Sequence, residues 1–201
     1  MPHPMENTLL YRLWQAPFAE RKLAPFLADN DPGAVRRVLD VGCGPGTNAA
    51  HFTGRDYLGI DLNPDYIGHA RRRFPGLRFE VADVTALGPG SPVTPGYDCI
   101  LVNSLLHHLP DAESSRLLRH LESLLAPEGH VHILDLVLPP RPSLARLLAR
   151  LDRGRWPRPL AHWQLLFEAC FTPVRFEPYP LGALGVELWS MVYFKGGRRI
   201  P

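Results

Sequence analysis

The sequence predicts an α/β fold with a mainly parallel sheet, and three observations carry that expectation. Short apolar runs alternate with helical segments from Val35 onward. One buried run, VLDV (38–41), closes directly in the glycine-rich turn 42–46. The last two apolar runs are joined by YPLGALG (179–185), too short for a helical crossover, so they should pair antiparallel.

The stretch from Glu6 to Asn30 reads mostly helical, with a break near Pro17. Tyr11, Trp14 and Phe18 recur at helical spacing and share one face. Strands are expected at Val35–Val41, Tyr57–Asp61, Leu77–Val81, Tyr97–Asn103 and His130–Val137. Helices are expected to open at Thr47 and to span Asp65–Phe74 and Asp111–Leu125, the latter with Asp111 as N-cap. Two further helical pieces, Ser143–Leu151 and Leu160–Cys170, precede closing strands at Val174–Pro178 and Val186–Phe194. The segments 88–96 and 138–142 are rich in proline and glycine and read as loops.

The 201 residues fit a single domain. It is read as 1–201, with an N-terminal helical cap over 1–34 and a helical cap insertion over 138–171. The apolar share of 45% and charged share of 21% are those of a soluble globular chain. A net charge of +2 argues against a nucleic-acid partner. No apolar run approaches the length of a membrane span. The cysteines, Cys43, Cys99 and Cys170, are odd in number and widely spaced, and no secretory signal opens the chain. Reduced thiols and a cytoplasmic location are expected.

The most informative segment is VLDVGCGPGTNAA (38–50). Its pattern is G-x-G-x-G. A dinucleotide fingerprint would carry a third glycine where Thr47 stands, and a P-loop would carry a lysine. Both departures count against a nicotinamide-linked oxidoreductase or a nucleoside triphosphatase. The second strand ends in Asp61, where a carboxylate can accept from both ribose hydroxyls. The third leads to Asp83, placed to accept from an exocyclic amine. Asp40 lies inside the motif strand, where its charge suits a cationic ligand.

These residues resemble the class I S-adenosylmethionine-dependent methyltransferase family: a strand ending in LDVGCGPG, an acidic residue after the second strand, and an Ala-Asp pair after the third. The resemblance spans roughly Val35 to Val137. It implies a three-layer Rossmann-like sheet of order 3-2-1-4-5-7-6, helices on both faces and an antiparallel last strand. It implies that Asp40, Gly42, Cys43, Gly44, Pro45 and Gly46 line the methionine part of an S-adenosyl-L-methionine cofactor. Asp61 and Leu62 would then hold the ribose, Asp83 and Val84 the adenine, and Asn103 and Ser104 the loop edge.

The expected activity is in-line methyl transfer to a small-molecule acceptor, mainly by positioning. The pair His107 and His108, in NSLLHHLPD, offers a possible general base. Packing of one histidine under the loop and solvation of the other is the competing reading. Tyr11, Trp14, Phe18, Arg155 and Trp156 are candidate acceptor contacts, with helix packing and a solvated turn as their competitors. His130 and His132 share a strand face, but Asp135 falls on the other, so no metal site is expected. A cofactor-binding protein that performs no transfer remains the alternative from another class. The oligomeric state and the acceptor are not legible.

Overall fold

The computed structural model describes residues 8–87, 92–152, 154–183 and 185–199, with side chains for Phe18 and from residue 20 onward. In chain order it holds α1 (Thr8–Asp29), β1 (Arg37–Val41), β2 (Asp56–Asp61), α2 (Pro64–Arg73), β3 (Arg78–Val81) and β4 (Tyr97–Asn103). There follow α3 (Asp111–Leu124), β5 (Leu125–Val137), α4 (Leu144–Leu151), α5 (Leu160–Glu168), β6 (Thr172–Ala183) and β7 (Val186–Gly197). The strands form one sheet of order β3-β2-β1-β4-β5-β7-β6. Pairing is parallel from β3 through β5, and β7 runs antiparallel to both neighbours. This is the order expected from the resemblance.

The sheet separates two apolar clusters, as a layered α/β fold requires. On one face Leu117, Leu118, Leu121 and Leu124 of α3 and Trp163 and Phe167 of α5 pack against Ile100, Val102, Val131 and Ile133. On the other, Leu23 and Phe26 of α1 and Ile67 and Ala70 of α2 pack against Val38, Leu101 and Leu134. Strand β1 is central and buried, which is why VLDV reads as a continuous apolar run broken only by Asp40.

Several expectations shift. α1 passes Pro17 without an interruption, and Pro25 as well. A proline removes one backbone donor, and downstream the helix is held by the buried Leu23 and Phe26. The helix expected from Thr47 is only a 3-10 turn over Ala49–Phe52. It buries just two residues, and Gly54 ends the segment with a positive φ. Asp111 does not cap α3. Pro110 occupies that position, and the Asp111 carboxylate instead meets Arg158 at 2.7 Å and His162 at 3.1 Å. β5 and β6 are longer than their apolar cores. The extra residues of β6 include Pro173 and Pro180, tolerable because the strand lies at the sheet edge.

Gly59 in β2 shows how tightly this sheet is packed. A Cβ there would sit 2.8 Å from the Phe79 ring and 2.9 Å from the Cys43 sulfur. Gly59→Ala is expected to cost about 1–3 kcal/mol by overpacking, read as a lower urea midpoint at unchanged m value.

Candidate cofactor and acceptor site

The order of the sheet reverses direction between β1 and β4, and open α/β sheets bind ligands at the carboxyl ends of strands flanking such a point. The glycine turn emerges there. Gly42, Gly44 and Gly46 all have positive φ, at 72°, 55° and 79°. A side chain at Gly42 would press on Leu105, and one at Gly46 on Phe74 and Ala70, so these two glycines serve packing. A Cβ on Gly44 would meet nothing within 4 Å. That glycine leaves its backbone open to a ligand.

The turn is held by its neighbours. The amides of Gly42 and Cys43 donate to the Ile60 carbonyl at 2.9 and 3.0 Å. The Gly44 amide donates to Asp61 Oδ2 at 2.9 Å, and the Asn63 amide to Asp61 Oδ1 at 2.9 Å. A carboxylate has about four acceptor positions, so Asp61 buttresses the turn and keeps capacity for two hydroxyl donors. Asp83 accepts from the amide and hydroxyl of Thr85 at 2.8 and 2.7 Å, both on Oδ1. It therefore caps the short turn Val84–Ala86 and is itself exposed. Leu62 is 66% exposed beside Asp61, an apolar side chain left uncovered at the strand end, while Val84 is buried. Cys43 and Pro45 are buried, and burial pushes the Cys43 thiol up. Cys43 is thus an inert packing residue.

Asp40 is fully buried. Its Oδ2 accepts from Tyr57 at 2.8 Å and from Asn48 at 3.4 Å, while Oδ1 has no partner. Burial, reinforced by the nearby charge of Asp61, raises its pKa to about 6 against the opposing hydrogen bonds. From Asn48 a polar chain continues. Asn103 donates to Asn48 at 3.2 Å, Ser104 to Asn103 at 3.1 Å, and the Lys22 ammonium to Ser104 at 3.2 Å. Ser104 holds a left-handed φ of 56°, fixed by its amide donating to the Leu134 carbonyl at 2.8 Å. This chain links β1, β4 and α1 beneath the turn.

The two candidate histidines separate. His107 is buried, with Nδ1 2.6 Å from Asp135 and Nε2 3.3 Å from Asp152. Burial alone would lower its pKa, but the two carboxylates outweigh it and hold it at about 9. Asp135 also accepts the amides of Leu106 and Leu136, at 2.8 and 2.7 Å. An imidazole bound at both nitrogens has no lone pair to offer, so the geometry matches the packing reading of His107. His108 is exposed. His130 and His132 share a face as expected, and His132 bonds Tyr193 at 3.0 Å.

The acceptor candidates are not gathered in one wall. Tyr11 and Trp14 lie in α1, their side chains outside the described residues. Phe18 packs edge-on against Trp189, ring centroids 5.0 Å apart. Arg155 is exposed and Trp156 is 47% exposed. Arg158, beside them in sequence, is buried. It bonds Asp111 at 2.7 Å, the carbonyls of Leu106 and Leu109 at 3.0 and 2.7 Å, and stacks on Trp163. It ties the segment after α4 to the loop after β4. Lys22 and Asp152 were missed because each matters only through residues distant in sequence.

This sheet order, with a ligand-ready turn after its first strand and a carboxylate beside it on the second, defines a Rossmann-like methyltransferase fold. A family model described as a methyltransferase domain matches residues 11–176, and the chain belongs to the S-adenosylmethionine-dependent methyltransferase family. It is 40% identical over 113 residues to trans-aconitate 2-methyltransferase of Methylobacterium nodulans, covering 54% of this chain and 42% of that one. It is 35% identical over 172 residues to the enzyme of that name from Escherichia fergusonii, covering 80% and 61%. The chain thus spans about half the length of these relatives. Among solved structures, a protein of Pyrococcus horikoshii superposes with a TM-score of 0.68 at 19% identity, over 96% of this chain and 93% of that one. Human N-acetylserotonin methyltransferase, solved with S-adenosylmethionine, gives 0.66 at 19% identity, over 98% and 60%. No helix among the described residues is long and apolar enough to cross a membrane.

Proposed function

We propose that this chain transfers a methyl group from S-adenosyl-L-methionine to a small organic acid. The observation that carries the cofactor is Asp61: it braces the open Gly44 backbone and retains acceptor capacity for a ribose diol. When bound, the cofactor supplies a methyl carbon activated by a sulfonium. Asp61, with Leu62 beside it, would hold the ribose by accepting from its two hydroxyls, and Asp83 and Val84 would hold the base. Gly42 to Gly46, with Asn103 and Ser104, would hold the amino-acid end, and the unpartnered Oδ1 of Asp40 would offer negative charge to its cationic groups.

The acceptor class rests on two supports. The relatives named above act, by their names, on trans-aconitate. The Lys22 side chain donates to Ser104 at 3.2 Å at the end of β4; burial lowers its pKa, Asp152 and Asp135 oppose that, and its charged form would pair with an anionic acceptor. A carboxylate is already deprotonated at neutral pH, so methylating it needs no general base. His107, occupied by two carboxylates, then acts as a positioning residue. The protein's contribution is alignment of nucleophile and methyl carbon. Expected in the cytoplasm, it would draw on metabolite acids there.

The test is transfer of radiolabelled methyl to a panel of di- and tricarboxylic acids, trans-aconitate included, beside neutral phenols and amines. The expected product is a base-labile methyl ester. Label entering only phenols or amines contradicts the acid assignment.

A pH dependence follows. Asp40 has a folded pKa above its unfolded value, so its stability contribution is present below about pH 4 and lost as pH rises through about 6. The ionised form is what a cationic ligand favours. Cofactor affinity is expected to rise with pH below 6, by up to about tenfold per unit, and to be flatter in Asp40→Asn. Calorimetry at pH 5, 6 and 7 reads it.

A further inference from the structure

We propose that His107, His108 and Asp152 form a binding site for a divalent transition metal of the zinc class. It sits where the loop after β4 meets the segment after α4. The potential ligand atoms of the three residues lie within 4.8 Å of one another. Zinc bonds to nitrogen and oxygen near 2.0–2.1 Å in tetrahedral geometry, which puts neighbouring ligand atoms about 3.3 Å apart. His107 Nε2 and Asp152 Oδ1 are separated by 3.3 Å, the edge of such a tetrahedron; the metal would take the place of the proton that Nε2 now directs at Asp152, which is released to solvent and leaves the lone pair for the metal. The His108 ring lies 4.2 Å from the His107 ring, centroid to centroid, and its ligating nitrogen falls within the same 4.8 Å cluster, where it can supply the third corner.

The surroundings are those a metal-binding histidine needs. A ligating imidazole almost always donates its other ring N–H to a carboxylate, a backbone carbonyl or water, which fixes tautomer and orientation. Asp135, buried, occupies that position at 2.6 Å from His107 Nδ1, and is itself fixed by two backbone amides. Asp152 is oriented in turn by the Gly154 amide at 2.9 Å. A Cβ on Gly154 would overlap the His107 ring, and the Trp156 amide donates to the His107 carbonyl at 2.9 Å, so the segment is drawn tightly over the histidine. The site is half-exposed on the His108 side. That leaves a fourth position for water or an acceptor oxygen.

The donor set also selects the ion. Two imidazoles and one carboxylate favour zinc, cobalt or nickel over magnesium or calcium, which prefer all-oxygen shells. The proposal holds whether or not the acceptor is an acid.

The experiment uses tag-free protein, stripped with chelator, reloaded with Zn²⁺ or Co²⁺ and dialysed. Metal content and the visible d–d absorption of the cobalt form are read. One retained equivalent with the intense bands of tetrahedral cobalt is expected. His108→Gln and Asp152→Asn should each lower affinity at least about tenfold with unchanged circular dichroism, and His130→Gln should leave it unaltered. His108 is exposed, so its variant tests the site without threatening the fold. No retained metal, or retention indifferent to His108→Gln and Asp152→Asn, overturns the proposal, as does loss of binding in His130→Gln.

Discussion

Replacing Asp61 by alanine is expected to weaken cofactor binding by at least about 100-fold. Two charge-assisted hydrogen bonds from a ribose diol are worth about 1.5–3 kcal/mol each, and each 1.4 kcal/mol is tenfold in affinity. The same substitution strips the Gly44 and Asn63 amides of their acceptor. The glycine turn therefore loosens as well, and the loss should exceed the two ribose bonds alone. Asp61→Asn separates the contributions. Its amide oxygen can still accept one of these bonds, so an intermediate loss is expected by calorimetry with S-adenosylhomocysteine. Equal affinity in wild type and Asp61→Ala would contradict both roles of the carboxylate, on the ribose and on the turn.

The second large effect is acid destabilisation through His132. This histidine is buried against Phe26, ring centroids 4.8 Å apart, and Nδ1 lies 3.0 Å from the Tyr193 hydroxyl. Asn30 donates to that hydroxyl at 2.9 Å, so the tyrosine proton is free to go to His132, which must be neutral at Nδ1 to accept it. Burial, with Lys195 and His130 adding positive charge and Asp29 opposing, lowers the His132 pKa to about 3. A depressed folded value means that stability is fully present above the unfolded pKa, near 6.5. It is lost as pH falls from there through about 3. The span corresponds to about 5 kcal/mol, a large part of a domain's typical stability. Urea midpoints should fall steadily between pH 6.5 and 4, before most carboxylates titrate. His132→Gln, which can still accept from Tyr193, should flatten that slope. A flat wild-type profile over this window would contradict the assignment. Asp29, Asp111 and Asp152 titrate lower, and their losses belong below about pH 4.

What could be read beforehand follows a physical division. The central strands and the order they imply are legible because β1, β2 and β4 are buried on both faces and their apolar runs end at turn residues. The cofactor turn is legible because its signal is local: glycines with positive φ sit beside one another in sequence. The start of β5 was not. Leu125 pairs with Tyr97, and the register shifts before Cys99 meets His130, at a point where Gly129 has no room for a side chain against the Tyr97 carbonyl. The 3-10 turn at Ala49–Phe52 looked like a helix because the helical period cannot show how few residues it buries.

The histidine cluster was hidden for a different reason. Asp135 sits in an apolar strand run, ILDLV, and was set against His130 and His132 along its own strand. Its partner is His107, across β4, and the third member, Asp152, comes from the segment after α4. A buried charge in such a run is costly unless paired. That cost was the available signal that a partner must exist elsewhere. It does not say which residue, since that depends on how β4 and β5 register and where the chain returns after α4.

Calorimetric titration of the wild-type protein with S-adenosylhomocysteine, beside NAD under the same conditions, tests the central claim most directly. The account predicts one site of micromolar affinity for the adenosyl amino acid and no heat with the dinucleotide. Binding of NAD with none of S-adenosylhomocysteine would contradict it.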